Sequence, residues 1–303
     1  MSPWASRGLV NGVVTNLYPR RAPGGIAGLR AGVRPTGVPL VGSEAGSPQA
    51  SQIEASEIEA ICPTGAISVA SSFASGSAVL LDRGSCILCG RCVQAFPEYF
   101  IWDDEVELAK TERPLLIAGV GEGTSDKQAE LAKVIGSGHV GAPRSPGNAA
   151  LRRRLRQSVA VRHIDTGSDG AEEWEIHALM NPFYDVQRFG IIFTASPRHA
   201  DVLLVTGCGA PGMTEPLRST FEAMPEPKAV VAVGTDAISG GLFGSGVGDL
   251  VPVDIWVPGS PPCPISILHG ILLAMGRLSQ VRASREASRV RDDQRASHEG
   301  AAQ

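Results

Sequence analysis

Short apolar runs alternate with helical patterns through the second half of the chain. Residues 159–164, 200–205, 229–233 and 253–257 are short, mainly apolar runs, each ending near Gly, Asp or Pro. Such runs suit strands buried on both faces. Between them, residues 172–180, 215–223 and 264–278 carry helical periodicity, and the last is apolar on most of its sides. This alternation predicts a parallel sheet with helices on its faces. Residues 167–172, 207–212, 234–241 and 258–263 then fall at the carboxyl edge of that sheet, where ligands sit in such folds. The apolar helix over 264–278 is expected to need a partner or a self-contact to cover it.

The first half is less regular. Residues 1–50 are rich in Gly, Pro, Ala and Arg without sustained periodicity, and are expected to run as an extended arm over a surface. Residues 51–112 read as a compact module, with a short helix leading into Cys62, a strand pair at 66–69 and 78–81, and a cysteine loop. A connecting segment, 113–158, follows, with a strand expected over 114–120, a helix over 127–135 and a flexible linker at 136–148. The basic run at 152–156 reads as a solvated helix face. The second domain spans 159–280, and the polar residues 281–303 form a frayed or disordered tail.

At 303 residues, the length suits about two domains. Charged residues make up 19% of the chain and the net charge is −4, so no surface for binding a polyanion dominates and nucleic acid is not expected as a partner. No secretory leader pattern opens the chain, and no run approaches the ~18 apolar residues of a membrane span. The chain reads as cytoplasmic, and the unpaired thiols Cys208 and Cys263 suit a reducing compartment.

Four of the six cysteines form one pattern: Cys86, Cys89 and Cys92 at C-x2-C-x2-C spacing, with a remote Cys62-Pro63. This is the ligand arrangement of a 4Fe-4S cluster in ferredoxins, where the loop wraps three corners and the distant Cys-Pro supplies the fourth thiolate. Four cysteines can also hold Zn2+ tetrahedrally. A second cluster would need a Cys four residues after Cys92 and three more upstream of Cys62. Phe96, Gln52, Ala55 and Ile58 stand there instead. One cluster is therefore expected, with its iron on Cys62, Cys86, Cys89 and Cys92.

The second domain carries the strings HIDTGS (163–168), EIHAL (175–179), ASPRHADVLLVTG (195–207), MPEPK (224–228), SGG (239–241) and VPG (257–259), the last followed by Pro261-Pro262. These resemble the small, B-type subunit shared by NADH:quinone oxidoreductase and membrane-bound nickel-iron hydrogenases. The first half, including GVVTNLYP (12–19) and VELA (106–109), resembles the ferredoxin-like subunit of the same complexes. The resemblance implies a fusion of the two: an α+β ferredoxin-like cluster module followed by an α/β flavodoxin-like parallel-sheet domain. It also implies that the small subunit's own 4Fe-4S ligands are lost, because Asp169, Glu172, Asp236 and Ser260 stand at their positions. A cubane without any thiolate is not sustainable.

Several readings of those positions stand open. The carboxylates can be hydrated at a loop edge, can pair with basic groups of a neighbouring subunit, or can hold Mg2+, Ca2+ or Mn2+. Cys208 and Cys263 can form a new thiol site at the same edge. The Gly207-x-Gly209-x-x-Gly212 string matches a dinucleotide fingerprint superficially, but Pro211 and Pro216 crowd the helix start. His177 and His269 are expected to be satisfied core or interface histidines. Trp174, Phe183, Tyr184 and Phe189 are expected in the core or at subunit contacts.

The resemblance implies an iron-sulfur electron-transfer and assembly subunit of a membrane-associated oxidoreductase complex. Its partners would be a large subunit and a membrane arm, and the chain would sit peripherally on the cytoplasmic face without spanning the membrane. It would have no catalytic residue of its own. The alternative is a non-redox structural adaptor of a related complex, its one cluster serving to fold the first domain.

Overall fold

The computed structural model describes residues 6–7, 10–20, 28–38, 55–73, 76–119 and 158–278. The expected helix at 127–135, the linker at 136–148, the basic run at 152–156 and the tail at 281–303 lie outside the described residues. In chain order the first half contains β1 (Gly32–Pro35), β2 (Ile67–Phe73), β3 (Gly76–Asp82), α1 (Arg91–Ala95), β4 (Phe100–Asp103) and β5 (Ile117–Ala118). β2 and β3 pair antiparallel with Ile67 opposite Leu81 and Val69 opposite Val79. β5 extends that sheet at the far edge of β3, while β1 and β4 form a separate antiparallel pair. Val33, Ile58, Leu81, Tyr99 and Phe100 close a core over these strands, and Cys92 is part of it.

Two elements here differ from expectation. β1 falls inside the first fifty residues, where no periodicity marked a strand; its order comes from pairing with the distant β4. The strand expected over 114–120 is a 3-10 turn, Arg113–Leu116, followed by only two strand residues. Pro114 brings no N–H to a ladder and presets the φ of a turn.

The second half contains β6 (Val159–Asp165), α2 (Ala171–Ala178), β7 (Ile191–Phe193), β8 (Val202–Thr206), α3 (Thr214–Ala223), β9 (Ala229–Val233), α4 (Gly234–Ser239), β10 (Ile255–Val257) and α5 (Pro264–Ala274). The strands form one sheet in the order β7-β6-β8-β9-β10, with every neighbouring pair parallel. Counted within this sheet the order is 2-1-3-4-5, consistent with the flavodoxin-like class, whose ligand crevice opens between the first and third strands. Every residue of β8, β9 and β10 is buried, which is why these strands read as unbroken apolar runs. β7 escaped the sequence reading because it is a three-residue edge strand with Ile192 exposed.

Of the two covers expected for α5, a partner or a self-contact, the structure has the second. All eleven residues of the helix are buried, so the chain covers it by itself. One side packs on β9 and β10, and α2 lies alongside. The first half of the chain closes the rest. Ser266 Oγ donates to the Val106 carbonyl at 2.7 Å, and Ala109 lies beside Gly270, whose missing side chain lets the helix approach Val257. Lys110 and Trp256 exchange backbone hydrogen bonds of 2.9 and 2.8 Å, capping the outer edge of β10. The amino-terminal segment joins the same core through buried Tyr18. Asn16 N–H donates to the Phe183 carbonyl at 2.9 Å, and the Arg188 guanidinium donates to the Asn16 side chain and the Tyr18 carbonyl at 2.9 Å each. No helix among the described residues is long and apolar enough to cross a membrane.

Candidate functional site: a cysteine loop beside a carboxylate pocket

Cys62 follows a helical turn at 55–60, and its N–H closes that turn on the Glu59 carbonyl. Its sulfur accepts a hydrogen bond from Ala66 N–H at 3.2 Å and lies 3.4 Å from Thr64 Oγ1. The loop from Cys86 to Cys92 reverses direction through left-handed backbone at Leu88 and Gly90, with φ of 53° and 74°. Gly90 is required twice over, because a Cβ there would also stand 2.7 Å from the Trp102 indole. All four cysteines line one small hollow, with Ile67 and Leu81 in its wall. Burial pushes the Cys86 thiol up to about 12 and the Cys92 thiol up to about 11, and the neighbouring cysteines add to both shifts. Without a metal these thiols are neutral at pH 7; to act together as thiolates they would need a bound cationic group to offset their charge, which an iron-sulfur core or zinc would supply. Among the described residues no group of three or more His, Cys, Asp or Glu side chains is placed to hold a single metal ion. A cubane differs from such a site in that its four thiolates bind four different irons.

A buried ion pair holds the start of the loop. Arg113 donates in bidentate fashion to Asp82 at 2.6 and 2.5 Å, and Asp82 also accepts from Gly84 N–H at 2.9 Å and Ser85 Oγ at 2.7 Å. Burial alone would raise the Asp82 pKa, but the Arg113 charge and these hydrogen bonds hold it below the usual carboxylate range. Gly84 leaves the space that the guanidinium fills, since a Cβ there would lie 2.7 Å from it.

The loops after β6 and β9 bring the acidic residues together. Asp165 Oδ1 accepts from Gly167 and Ser168 N–H at 2.8 Å each, and Ser168 Oγ donates to Glu173 at 2.8 Å. Asp169 then accepts from Ala171 N–H at 2.9 Å, so it turns the chain into α2. Glu172, in the first turn of α2, is only 2% exposed, and its Oε2 has no hydrogen-bond partner. Burial raises its pKa to about 7, with Asp236 and Asp169 adding like charge. Its carboxylate lies against Gly234, where a Cβ would stand 2.5 Å from Oε1. Asp236, half-buried on α4, is likewise shifted upward by burial and by Asp169. Among the described residues no basic side chain pairs with these three carboxylates. Ser260 lies on the adjoining loop, tied to α4 through Gly259, whose carbonyl accepts from Thr235 N–H at 2.8 Å.

The cysteine loop and the carboxylate pocket touch. Thr235, the residue before Asp236, donates through Oγ1 to the Cys86 carbonyl at 2.8 Å. No local signal announced this contact or the Asp82–Arg113 pair, because both join residues far apart in the chain.

The remaining candidates disperse. Cys208 lies beneath Gly167 and Gly244, and Cys263 Sγ lies 3.2 Å from Ser266 Oγ at the start of α5. The fingerprint at 207–212 is no phosphate cradle: a Cβ at Gly207 would meet Gly167 and Ser168 backbone at 2.7 Å, so the neighbouring loop occupies that space. His177 is exposed rather than in the core. His269 is buried but not satisfied, since neither ring nitrogen has a partner, and burial with the nearby Lys110 charge lowers its pKa to about 3. Trp174 is 78% exposed, whereas Tyr184 and Phe189 pack against the core.

Residues 170–274 match the family described as NADH ubiquinone oxidoreductase, 20 Kd subunit. The match contains Glu172, Asp236 and Ser260 and lies wholly beyond the four clustered cysteines. Formate hydrogenlyase subunit 7 of Escherichia coli is 38% identical over 138 residues, covering 44% of this chain and 54% of that protein. The chain thus spans about half the length of that relative. The probable membrane-bound hydrogenase subunit mbhJ of Pyrococcus furiosus is 36% identical over 151 residues, covering 44% of this chain and 90% of that protein. The B-type subunit of NADH-quinone oxidoreductase from Citrifermentans bemidjiense is 42% identical over 106 residues, covering 33% of this chain and 62% of that protein. A chain in the solved structure of an archaeal membrane-bound sulfane sulfur reductase aligns at 30% identity with a TM-score of 0.37, covering 44% of this chain and 75% of that one.

Proposed function

Because this chain belongs to the NADH ubiquinone oxidoreductase 20 Kd subunit family, we propose that it is an electron-transfer and assembly subunit of a membrane-associated complex of the NADH:quinone oxidoreductase or hydrogenase type. It reaches the membrane through partner subunits, a large subunit and a membrane arm. The observation that carries the electron-transfer part is the single hollow lined by Cys62, Cys86, Cys89 and Cys92. These four hold one 4Fe-4S cluster, which when bound accepts and donates one electron at a time. Ala66 N–H steadies the Cys62 sulfur, the Asp82–Arg113 pair sets the entry to the cysteine loop, and Thr235 fastens that loop to the parallel-sheet half.

The chain is read as a fusion, with a ferredoxin-like module over 51–112 behind an arm at 1–50, a connecting segment at 113–158, the family's α/β domain over 159–280 and a tail at 281–303. In the α/β domain Asp169, Glu172, Asp236 and Ser260 replace the family's thiolates, so this half contributes scaffold rather than a redox centre. One observation favours the adaptor reading as a second possibility: the Cys86 carbonyl rests on the very element that carries Asp236, so the route onward from the first cluster meets carboxylates instead of a second cluster.

Iron and sulfide analysis with electron paramagnetic resonance on anaerobically purified full-length chain tests the assignment. About four irons and four sulfides per chain are expected, with loss of both in Cys89→Ser. About eight irons, or zinc in place of iron, would overturn it. A cluster that is present but cannot be reduced in the assembled complex would favour the adaptor.

A further inference from the structure

We propose that the carboxylate pocket at the carboxyl edge of the sheet receives a basic side chain from a partner subunit, with Leu242 and Phe243 as the apolar rim around that anchor. The inference rests on the complex-subunit reading above and adds the chemistry of one contact. It starts from Glu172, which is only 2% exposed yet leaves Oε2 without a partner, beside Asp236 and Asp169. A buried carboxylate oxygen without a donor is costly, so a ligand with N–H donors is favoured there. Asp236 is half-buried and Asp169 is exposed, so the pocket opens outward.

A single metal ion fits poorly. Among the described residues these carboxylates do not form a group placed to hold one ion. A guanidinium spreads five donors over a planar fork and bridges oxygens that a small cation cannot reach together, which makes arginine the better fit and lysine the simpler one. The surroundings suit a protein occupant. Gly241 packs directly on the Asp236 carboxylate, and the next two residues, Leu242 and Phe243, are 54% and 84% exposed. An arginine seated in a desolvated pocket, with neighbouring contacts that exclude water, is a common make-up of an interface hot spot.

The test uses the complex isolated from its native host through an affinity tag on the full-length chain. In that complex, carbodiimide labelling of carboxyl groups should spare Asp169 and Asp236, the two accessible members of the pocket, whereas the separated chain should be labelled at both. Asp236→Lys should lower recovery of the associated subunits at least tenfold while the variant keeps its iron and its melting temperature. If that variant does not fold, Phe243→Ser, at a position already in solvent, should still reduce recovery severalfold. A photoreactive phenylalanine at position 243 should cross-link next to a lysine or arginine of the partner, and exchanging that residue for glutamate should restore assembly with Asp236→Lys. Wild-type recovery with both variants, or equal labelling in complex and free chain, would overturn the pocket assignment and leave the complex intact. Protection of the free chain by Mg2+, Ca2+ or Mn2+ would overturn it in favour of a metal. Failure of the wild-type chain to bring down any subunit would overturn the complex reading itself, and this proposal with it.

Discussion

Replacing Arg113 with methionine isolates the contribution of one buried ion pair to the cysteine loop. The side chains of Arg113 and Asp82 are 7% and 3% exposed, and two short hydrogen bonds join them. Arg113→Met keeps most of the packing volume but leaves Asp82 with only Gly84 N–H and Ser85 Oγ. Breaking a buried pair from one side costs about 3–5 kcal/mol, because the surviving charge stays desolvated. For a unit of this size that corresponds to a fall of roughly 6–20 °C in melting temperature. The double variant Asp82→Leu/Arg113→Met removes the stranded charge and should recover most of the loss. The pH dependence follows from the direction of the Asp82 shift. Its folded pKa lies below the unfolded value of about 3.9, so its stabilisation is fully present above that value and fades as pH falls through the folded pKa. Without Arg113, burial raises the Asp82 pKa, so the gap between wild type and Arg113→Met should be largest towards about pH 8 and shrink as pH falls into the acid range. Anaerobic thermal unfolding followed by circular dichroism, with iron retention measured alongside, reads both effects. A loss below about 1 kcal/mol, or a gap that widens in acid, would refute the reasoning.

Three further outcomes are expected. Glu172 has a folded pKa near 7, above its unfolded value, so the isolated chain should lose stability as pH rises from about 4.5 to 7, on the order of 3 kcal/mol; Glu172→Gln should flatten that slope in melting curves, and an unchanged slope would assign it to another group. Millimolar Mg2+, Ca2+ or Mn2+ should leave the melting temperature nearly unchanged, whereas a saturable rise of several degrees that vanishes in Asp236→Asn would establish a metal site. Gly90→Ala adds a Cβ against Trp102 at a left-handed position and should deplete iron and lower the melting temperature; wild-type iron content in that variant would show that the loop relaxes freely.

Local pattern carried much of the parallel sheet. β8 and β9 were legible because strands buried on both faces must be nearly all apolar, β6 because its apolar residues still outnumber its polar ones, and the helices between them because one face alone is buried. The spacing of Cys86, Cys89 and Cys92 with Cys62-Pro63 was legible as chemistry, since thiol ligands are few and their intervals constrained. The resemblance marked Asp169, Glu172, Asp236 and Ser260, because a missing thiolate is a difference of residue type at a known position. Other features depended on neighbours that no window along the chain contains. β1 becomes a strand only against β4, and β7 only as an edge of β6. The apolar α5 called for a partner or a self-contact, and only the structure shows that Tyr18, Val106 and Ala109 from the first half of the same chain supply it. Thr235 meets Cys86, and Arg113 meets Asp82, across 149 and 31 residues of sequence. Residue type determines which groups can bury apolar surface or bind a soft metal; only the closed tertiary structure decides which of them are desolvated together. That is why the stranded oxygen of Glu172 and the unpartnered ring of His269 came to light with the structure and not before.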